Sequence, residues 1–402
     1  MKTALAVVVL VLSLVQPAFA QQDEAGARRA IAAVQEAIKQ RPDDPTLYFF
    51  LARLEAEAGD AGATVAALAK VAELGDGFLP ARELGFAKVW DDAKFQEVRA
   101  RLESRLPRLD YAPIAFELED SGLVPEGFAY DAASHDFFMG SIAKGKIVRI
   151  GADGSVKDFA DRLDPVLGIA VDAPRRRLYA VSTSALTEAG RKERRNAVLS
   201  YETDSGRLVR RVDVPSAVQL NDVTVAPGGR VFASDSGNGA VYEIPLQGDP
   251  REVLAPGQVR GSNGLAASPD GKRLYVAHTT GIVVVDIATG AAKRVENATR
   301  ENIAAIDGLY EWQGELIGVQ NITNPGRVIL IALARDGNSV SSVKTLLSHH
   351  HNRLDEPTTG AIKDSDFFLL AATGASHFTQ KGTIDDPAAV PRPAVVRVLL
   401  PR

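Results

Sequence analysis

Six segments of the sequence repeat one pattern at regular spacing. Each opens an alternating apolar run, and a polar turn then leads to a second apolar run. The openings are separated by 41, 54, 42, 44 and 52 residues, which suits a four-stranded blade of about 40–50 residues. They are Glu126-Gly127-Phe128, Leu167-Gly168-Ile169, Asn221-Asp222-Val223, Asn263-Gly264-Leu265, Asp307-Gly308-Leu309 and Thr359-Gly360-Ala361. The repeat predicts a mainly β fold, a six-bladed β-propeller over residues 112–402.

A helical pattern precedes the repeat. Residues 21–106 carry Ala and Leu at three- and four-residue spacing, with Gly or Pro breaks at 42–45, 59–60 and 75–77. This predicts a small α-helical domain, similar to a degenerate tetratricopeptide repeat, in which Thr64 and Val71 stand where that motif prefers alanine. A helical cap without a ligand and a groove that binds a protein partner both remain open.

The first twenty residues have the pattern of a signal peptide. Lys2 precedes an apolar stretch at 4–15, and Ala18-Phe19-Ala20 is a small-x-small cleavage pattern. We therefore expect cleavage after Ala20 and a periplasmic or secreted protein. No later segment approaches the roughly 20 apolar residues that cross a bilayer, so no membrane span is expected. The sequence has no cysteine, which excludes disulfides as a source of stability.

The net charge argues against one class of partner. It is −5, or −6 without Lys2, and no basic stripe accompanies it. Nucleic acid is therefore not an expected partner. The polar insert at 186–196 lengthens the second interval of the repeat and contains a basic run at 191–195. We expect it to form a solvated loop on one face.

The residues that share one phase of the repeat predict a metal site. The first strand of each propeller blade lines the central channel, so the equivalent residues form a ring. These ring residues are Glu126, Leu167, Asn221, Asn263, Asp307 and Thr359. Two converging carboxylates would repel, because an uncompensated buried charge costs several kcal/mol. An all-oxygen donor set favours Ca²⁺, with Zn²⁺, Mn²⁺ or Mg²⁺ as alternatives.

A cation is not the only interpretation of this ring. Glu126 and Asp307 could instead accept backbone hydrogen bonds, while Asn221 and Asn263 bridge neighbouring blades. Metal binding without catalysis is a further alternative.

Four ordered motifs resemble the SMP-30/gluconolactonase/LRE family over residues 115–400. They are Pro125-Glu126-Gly127, Asn221-Asp222-Val223 with residues 229–235, Ser262-Asn263-Gly264-Leu265 with residues 268–271, and Ile306-Asp307-Gly308-Leu309. The resemblance implies a calcium-dependent propeller lactonase. Its divalent metal would be held by Glu126, Asn263 and Asp307, with Asn221 as a further ligand or substrate contact. Gln219 stands where gluconolactonases have a basic residue that contacts the sugar lactone, so the resemblance does not imply sugar-lactone specificity.

The implied activity is hydrolysis of a lactone or related ester, with the metal polarising the carbonyl for attack by water. Asp307, as the base, and Asn221 are the predicted catalytic residues. His278 is an alternative proton carrier, and a hydrogen-bonded histidine at the end of a strand is the other interpretation of this residue. Predicted substrate contacts at the mouth are Gln219, His278, Asp235 and Asn321, with Ser236 beside them.

Two other functions remain open. One is a non-catalytic periplasmic binding or scaffold propeller, with a structural calcium and a partner on the helices. The other is phosphotriester hydrolysis at the same site. The run His349-His350-His351 is interpreted as a loop with incidental metal affinity, because three neighbours on an extended strand alternate sides.

Overall fold

The structure, a computed structural model, describes residues 24–401. The predicted signal peptide lies outside these residues. The described chain is a six-bladed β-propeller preceded by α-helices, which confirms the predicted fold class. Four helices precede the first strand: α1 (Glu24–Gln40), α2 (Pro45–Ala58), α3 (Ala61–Leu74) and α4 (Ala93–Glu103). Residues 104–113 connect α4, which ends at Glu103, to β1, which begins at Ile114. The domain boundaries at 106 and 112 remain predictions.

Aspartate side chains begin three of these helices. Asp44, Asp60 and Asp92 cap α2, α3 and α4 by accepting a backbone N–H from the first turn. Gly59 ends α2 in the left-handed conformation at φ 87°, which glycine adopts without the steric cost of a Cβ. The helices pack through a buried apolar cluster that includes Phe49.

Each blade is an antiparallel sheet whose strands follow chain order from the channel outward. Blades 1 and 2 contain β2 (Pro125–Asp131), β3 (Asp136–Ser141), β4 (Lys146–Ile150), β5 (Val156–Ala160), β6 (Val166–Asp172), β7 (Arg177–Thr183), β8 (Asn196–Glu202) and β9 (Leu208–Asp213). Blades 3 and 4 contain β10 (Leu220–Val225), β11 (Val231–Asp235), β12 (Val241–Ile244), β13 (Arg251–Leu254), β14 (Leu265–Ala267), β15 (Arg273–His278), β16 (Gly281–Asp286) and β17 (Ala292–Arg294).

Blades 5 and 6 depart from this scheme at their outer edges. Their strands are β18 (Glu296–Asn297), β19 (Ile306–Trp312), β20 (Glu315–Gln320), β21 (Arg327–Leu333), β22 (Ser339–Leu347), β23 (Gly360–Lys363), β24 (Asp366–Ala372) and β25 (Ala394–Leu399). The short β18 pairs in parallel with β22. The outermost strand of blade 6 is β1 (Ile114–Glu117), which pairs with β25. The ring is therefore closed by its first and last strands.

The helices sit on the face of the propeller where the inner strands begin. Phe50 of α2 packs against Ala305 and Ile322 of blade 5. Asp44 accepts a hydrogen bond from Arg294 at 3.3 Å, and Leu79 donates its N–H to the carbonyl of Thr323 at 3.0 Å. The helical region is thus anchored on the loops that surround blade 5.

A second contact between the helical region and blade 5 joins Gly77 to Arg327. The guanidinium of Arg327 is buried and donates to Gln320 Oε1 at 2.6 Å and to the carbonyl of Asn302 at 2.8 Å. A Cβ at Gly77 would lie 2.4 Å from this guanidinium. The backbone at Gly77 therefore packs closely on this guanidinium, and the helical region lies directly against the core of blade 5.

The insert at 186–196 is more ordered than expected. It contains α5 (Glu188–Glu193), capped by Thr187, instead of a simple loop. Glu188 donates its N–H to the carbonyl of Gln380 at 2.8 Å, which joins the insert to the long β24–β25 connection.

The helices of residues 24–401 include none with the length and apolar character of a membrane span.

Candidate metal and active site

The ring residues lie at one end of the central channel, at or just before the start of each inner strand. In blades 1, 2, 3 and 5 they fall within irregularities of the β-ladder, as between Ile306 and Leu309. Bulges of this kind redirect a side chain out of the regular alternation. The inner strands can also approach closely, because a Cβ at Gly127 would lie 2.0 Å from the carbonyl oxygen of Leu167.

Asp307 is the centre of a hydrogen-bonded group. Asn263 donates to its Oδ1 at 2.6 Å, and Asn321 donates to its Oδ2 at 2.6 Å. Asn321 also donates to the carbonyl of Pro357 at 3.0 Å, while its own Oδ1 is buried without a hydrogen-bond partner. The structure thus brings together two predicted metal ligands and one predicted substrate residue, and it fixes the orientation of the carboxylate.

Glu126 is the least compensated group of the site. Its side chain is buried, and Oε2 has no hydrogen-bond partner. Burial, followed by the charges of Asp307 and Asp222, raises the pKa of Glu126 well above its usual range. Burial likewise raises the pKa of Asp307 to about 6, although the hydrogen bonds from Asn321 and Asn263 act in the opposite direction. Each of these shifts records the cost of a buried negative charge.

Asp222 adds a third carboxylate at the residue after the ring position, where the other five repeats have glycine. Its Oδ1 accepts the N–H of Val223 at 2.8 Å, and its Oδ2 accepts the N–H of Leu265 at 3.0 Å. The carboxylate therefore links blades 3 and 4. Burial raises the pKa of Asp222 to about 7. The sequence contains a signal for this residue, since Asp222 breaks the glycine pattern of the repeat.

Asn221 and Gln219 lie on the same edge of blade 3. Asn221 is buried, and its amide donates to Ser236 Oγ at 3.3 Å. Gln219 is also buried, with its backbone N–H held by Asp235 Oδ1 at 2.9 Å. Their proposed contacts with metal and substrate remain predictions.

Asp235 has a full set of backbone partners. Its carboxylate accepts N–H groups from Val218 at 2.7 Å, Gln219 at 2.9 Å and Gly237 at 2.9 Å, and none of its surface is exposed. These contacts favour a structural role in shaping the mouth loops over direct contact with substrate.

His278 lies beneath the helical region. Its ring is buried, Nδ1 accepts the N–H of Thr280 at 3.3 Å, and Nε2 has no partner. Burial lowers the pKa of His278 to about 3, and the nearby charges of Arg294 and Arg41 add to this effect. No carboxylate contributes to the shift, so this environment does not favour the suggested role as a proton carrier.

Arg260 is a charged group of the mouth loops that lies outside the repeated pattern and was not predicted from it. It lies three residues before Asn263, its carbonyl accepts the N–H of Thr279 at 3.0 Å, and its Nη2 is buried without a partner. Burial lowers the pKa of Arg260 to about 10. A guanidinium of this kind can donate hydrogen bonds to an anionic group.

The opposite end of the channel is a separate space. A cavity of about 510 Å³ is lined by the later residues of the inner strands, including Phe128, Ile169 and Tyr310, and reaches Asp222. It does not include Glu126, Asn263 or Asp307. The ring residues thus face the end on which the helices sit.

The donor chemistry fits a hard cation. Glu126 Oε2 and Asn321 Oδ1 are buried oxygens without partners. Burial raises the pKa of Glu126, Asp222 and Asp307, and the charges of Asp307 and Asp222 add to the effect at Glu126. A divalent ion would compensate these charges, and an oxygen-only set suits calcium. Glu126, Asn263 and Asp307 are the residues that would hold it, with Asn221 as the fourth predicted ligand.

Comparisons with known proteins agree with this architecture. Residues 124–316 match the family described as SMP-30/Gluconolactonase/LRE-like region. No curated protein matches the sequence. Many solved structures are similar to this chain.

Three of these structures illustrate the range of the fold. A virginiamycin B lyase from Staphylococcus aureus is 13% identical, with 72% of this chain and 99% of that chain covered and a TM-score of 0.50. A luciferin-regenerating enzyme is 14% identical, with coverages of 72% and 95% and a TM-score of 0.50. A gluconolactonase from Xanthomonas campestris is 18% identical, with coverages of 73% and 91% and a TM-score of 0.49. At these identities the likeness concerns the fold alone.

Proposed function

We propose that this chain, in which residues 124–316 are an SMP-30/Gluconolactonase/LRE-like region, is a metal-dependent hydrolase of lactones or related esters. The observation that carries the proposal is the buried carboxylate pair of Glu126 and Asp307 on the propeller axis, with Glu126 Oε2 unpartnered. Burying an uncompensated charge of this kind makes folding less favourable. A cation bound between the two carboxylates would offset that free-energy cost.

In the proposed site, four residues bind the metal, and one of them also accepts a proton. Glu126, Asn263, Asp307 and Asn221 would hold the divalent ion, of which calcium is the first candidate. A bound cation of this type supplies polarisation of the ester carbonyl and stabilisation of the oxyanion. Asn263 and Asn321 hold the two oxygens of Asp307, so this carboxylate presents a fixed acceptor for a proton of the attacking water.

Gln219 and Arg260 are the polar groups that we assign to the substrate side. An amide at residue 219 recognises hydroxyl or carbonyl oxygens without requiring a charged partner. Arg260, with its unpartnered Nη2, suits a substituent such as a carboxylate. We therefore propose that the substrate is a lactone or ester other than a simple sugar lactone.

The direct test is hydrolysis of a lactone and aryl-ester panel by chelated protein as calcium is restored. We expect activity to return with calcium and to fall by at least about 100-fold in Asp307→Asn, the lower range for losing a general base. Glu252→Gln is a matched control, because Glu252 is an exposed acid on β13.

The outcomes separate the alternatives. If no ester or lactone is hydrolysed while calcium still raises the melting temperature, the metal is structural and the binding or scaffold function takes precedence. Turnover of phosphotriesters, without turnover of esters or lactones, would favour phosphotriester hydrolysis as the function. Calcium-independent turnover would contradict the proposal.

A further inference from the structure

A second cluster of metal-binding side chains lies away from the channel, where α4 meets the propeller. Glu103 is the last residue of α4, while His349 and His350 lie in the β22–β23 connection. His349 Nε2 is 3.4 Å from Glu103 Oε1, and the two imidazole centroids are 4.0 Å apart. One ligand atom from each of the three residues lies within 4.8 Å of the others.

Neighbouring groups hold two of these side chains in position. Arg99 donates to Glu103 Oε2 at 2.8 Å, so the other carboxylate oxygen faces His349. His350 Nδ1 contacts the hydroxyl of Ser348 at 2.9 Å, and that hydroxyl is itself anchored on Leu109. Because Ser348 engages Nδ1, Nε2 is the nitrogen of His350 that would bind a metal. Metal-binding carboxylates and histidines are oriented by outer contacts of this type.

His349 supplies an independent observation. Its Nδ1 is buried and has no hydrogen-bond partner, although the ring lies between Glu103 and His350. His351 differs, because its Nε2 contacts the carbonyl of Ala112 at 2.8 Å and its Nδ1 accepts the N–H of Arg353 at 3.2 Å. Two histidines of the run are therefore gathered with Glu103, and the third is used elsewhere.

We infer that Glu103, His349 and His350 form a second metal site, for a zinc-class divalent transition metal. Two imidazoles and one carboxylate suit Zn²⁺, which is four-coordinate and would take water as its remaining ligand. The channel site, with oxygen donors only, belongs to a different class of ion. The inference does not depend on the hydrolase proposal.

The placement of the cluster indicates what the ion does. Glu103 belongs to the helical region, and His349 and His350 belong to the connection between blades 5 and 6. An ion bound to all three would join the two regions. Because such an ion binds the docked arrangement, it would stabilise that arrangement by mass action.

The test uses the full protein at pH 7.5 with saturating calcium, so that the channel site is occupied. Zn²⁺ binding is measured by calorimetry, and Co²⁺ is added separately as a spectroscopic probe of tetrahedral nitrogen and oxygen ligation. We expect one equivalent of Zn²⁺, a Co²⁺ visible spectrum and a rise in melting temperature of a few degrees. His349→Ala, His350→Ala and Glu103→Gln should each weaken Zn²⁺ binding at least tenfold.

The control is His377→Ala. His377 Nδ1 lies 3.4 Å from Asp385 Oδ1, which makes a histidine–carboxylate pair outside any three-residue cluster in the described chain. This variant should bind Zn²⁺ as the unaltered protein does. Melting in chelator shows whether each variant is folded, and His350→Gln replaces any variant that is not. Absence of Zn²⁺ binding in the unaltered protein, or unchanged binding in both histidine variants, would overturn the inference.

Discussion

Glu126 shows how one residue can be unfavourable for folding and still be retained by the site. Its neighbours at the channel include Asp307 and Asp222, and the threonines at 358 and 359 donate to its backbone carbonyl and not to its carboxylate. Oε2 is left unpartnered. The residue therefore destabilises the metal-free fold, and a bound cation would reverse that effect.

Glu126→Gln tests this balance. In chelator at pH 7.5 we expect the variant to be more stable than the unaltered protein by about 1–3 kcal/mol, because glutamine removes the negative charge that burial, Asp307 and Asp222 disfavour. The pKa of Glu126 is raised by burial, so the folded state holds a proton that the unfolded state loses above about pH 4.5. The stability of the metal-free protein should therefore fall as the pH rises from there, and less steeply in the variant.

The measurement is urea unfolding between pH 4.5 and 8, with chelator and with calcium. Calcium should stabilise the unaltered protein and have little effect on Glu126→Gln. A variant that is less stable in chelator, or that responds to calcium as before, would show that Glu126 does not face a cation.

At the scale of elements, α2 supports the strand that carries Asp307. Phe50 packs against Ala305, two residues before Asp307, and against Ile322, next to Asn321. Ala305 has a positive φ of 52°, which costs energy for a residue with a Cβ. Phe50 of α2 thus contacts both the segment that carries Asp307, the candidate base, and the segment that carries its partner Asn321.

Phe50→Ala should affect activity as well as stability. Loss of a buried phenylalanine costs about 3–5 kcal/mol, and we also expect kcat for the best substrate to fall because Asn321 is less well held. Phe95→Ala is the matched control, since Phe95 is equally buried within the helical cluster. Activities are compared at a temperature where both variants are folded. Equal kcat values would confine the role of α2 to stability.

The sequence predicted the blades and the ring, because both follow from a repeat that is visible in one dimension. It could not predict the pairing of β1 with β25 or the packing of Phe50 on Ile322, since these contacts join distant segments that share no pattern. Asn321 was placed at the mouth by its position after β20. Its bond to Asp307 depends on the bulge in β19, which the alternation of residues does not show.

At the scale of the whole molecule, the junction between helices and propeller contains a buried neutral histidine. His278 lies under the turn between α1 and α2, near Arg41 and Arg294. Burial lowers its pKa to about 3 from an ordinary value near 6.5. Below pH 6.5 the unfolded chain binds a proton at this residue that the folded protein does not, so stability is lost as the pH falls towards 3.

The expected loss is about 2 kcal/mol between pH 6.5 and pH 5, from about 1.4 kcal/mol per pH unit. His278→Gln should lose less stability over this interval than the unaltered protein. His135→Gln is the control, because His135 is a loop residue paired with Tyr130 at 2.9 Å. Urea unfolding at the two pH values provides the comparison, and parallel losses in all three proteins would contradict the assignment.

The pairing of β1 with β25 also affects when the ring closes during folding. It joins residue 114 to residue 396, so the hydrogen bonds that complete the ring link positions from opposite ends of the propeller sequence. Contacts between such distant positions are slow to form. Until β25 pairs with β1, the propeller is an open arc whose terminal strands have unpaired edges. Because unpaired strand edges can pair with other chains, we expect ring closure by β1 and β25 to be the folding step most exposed to aggregation.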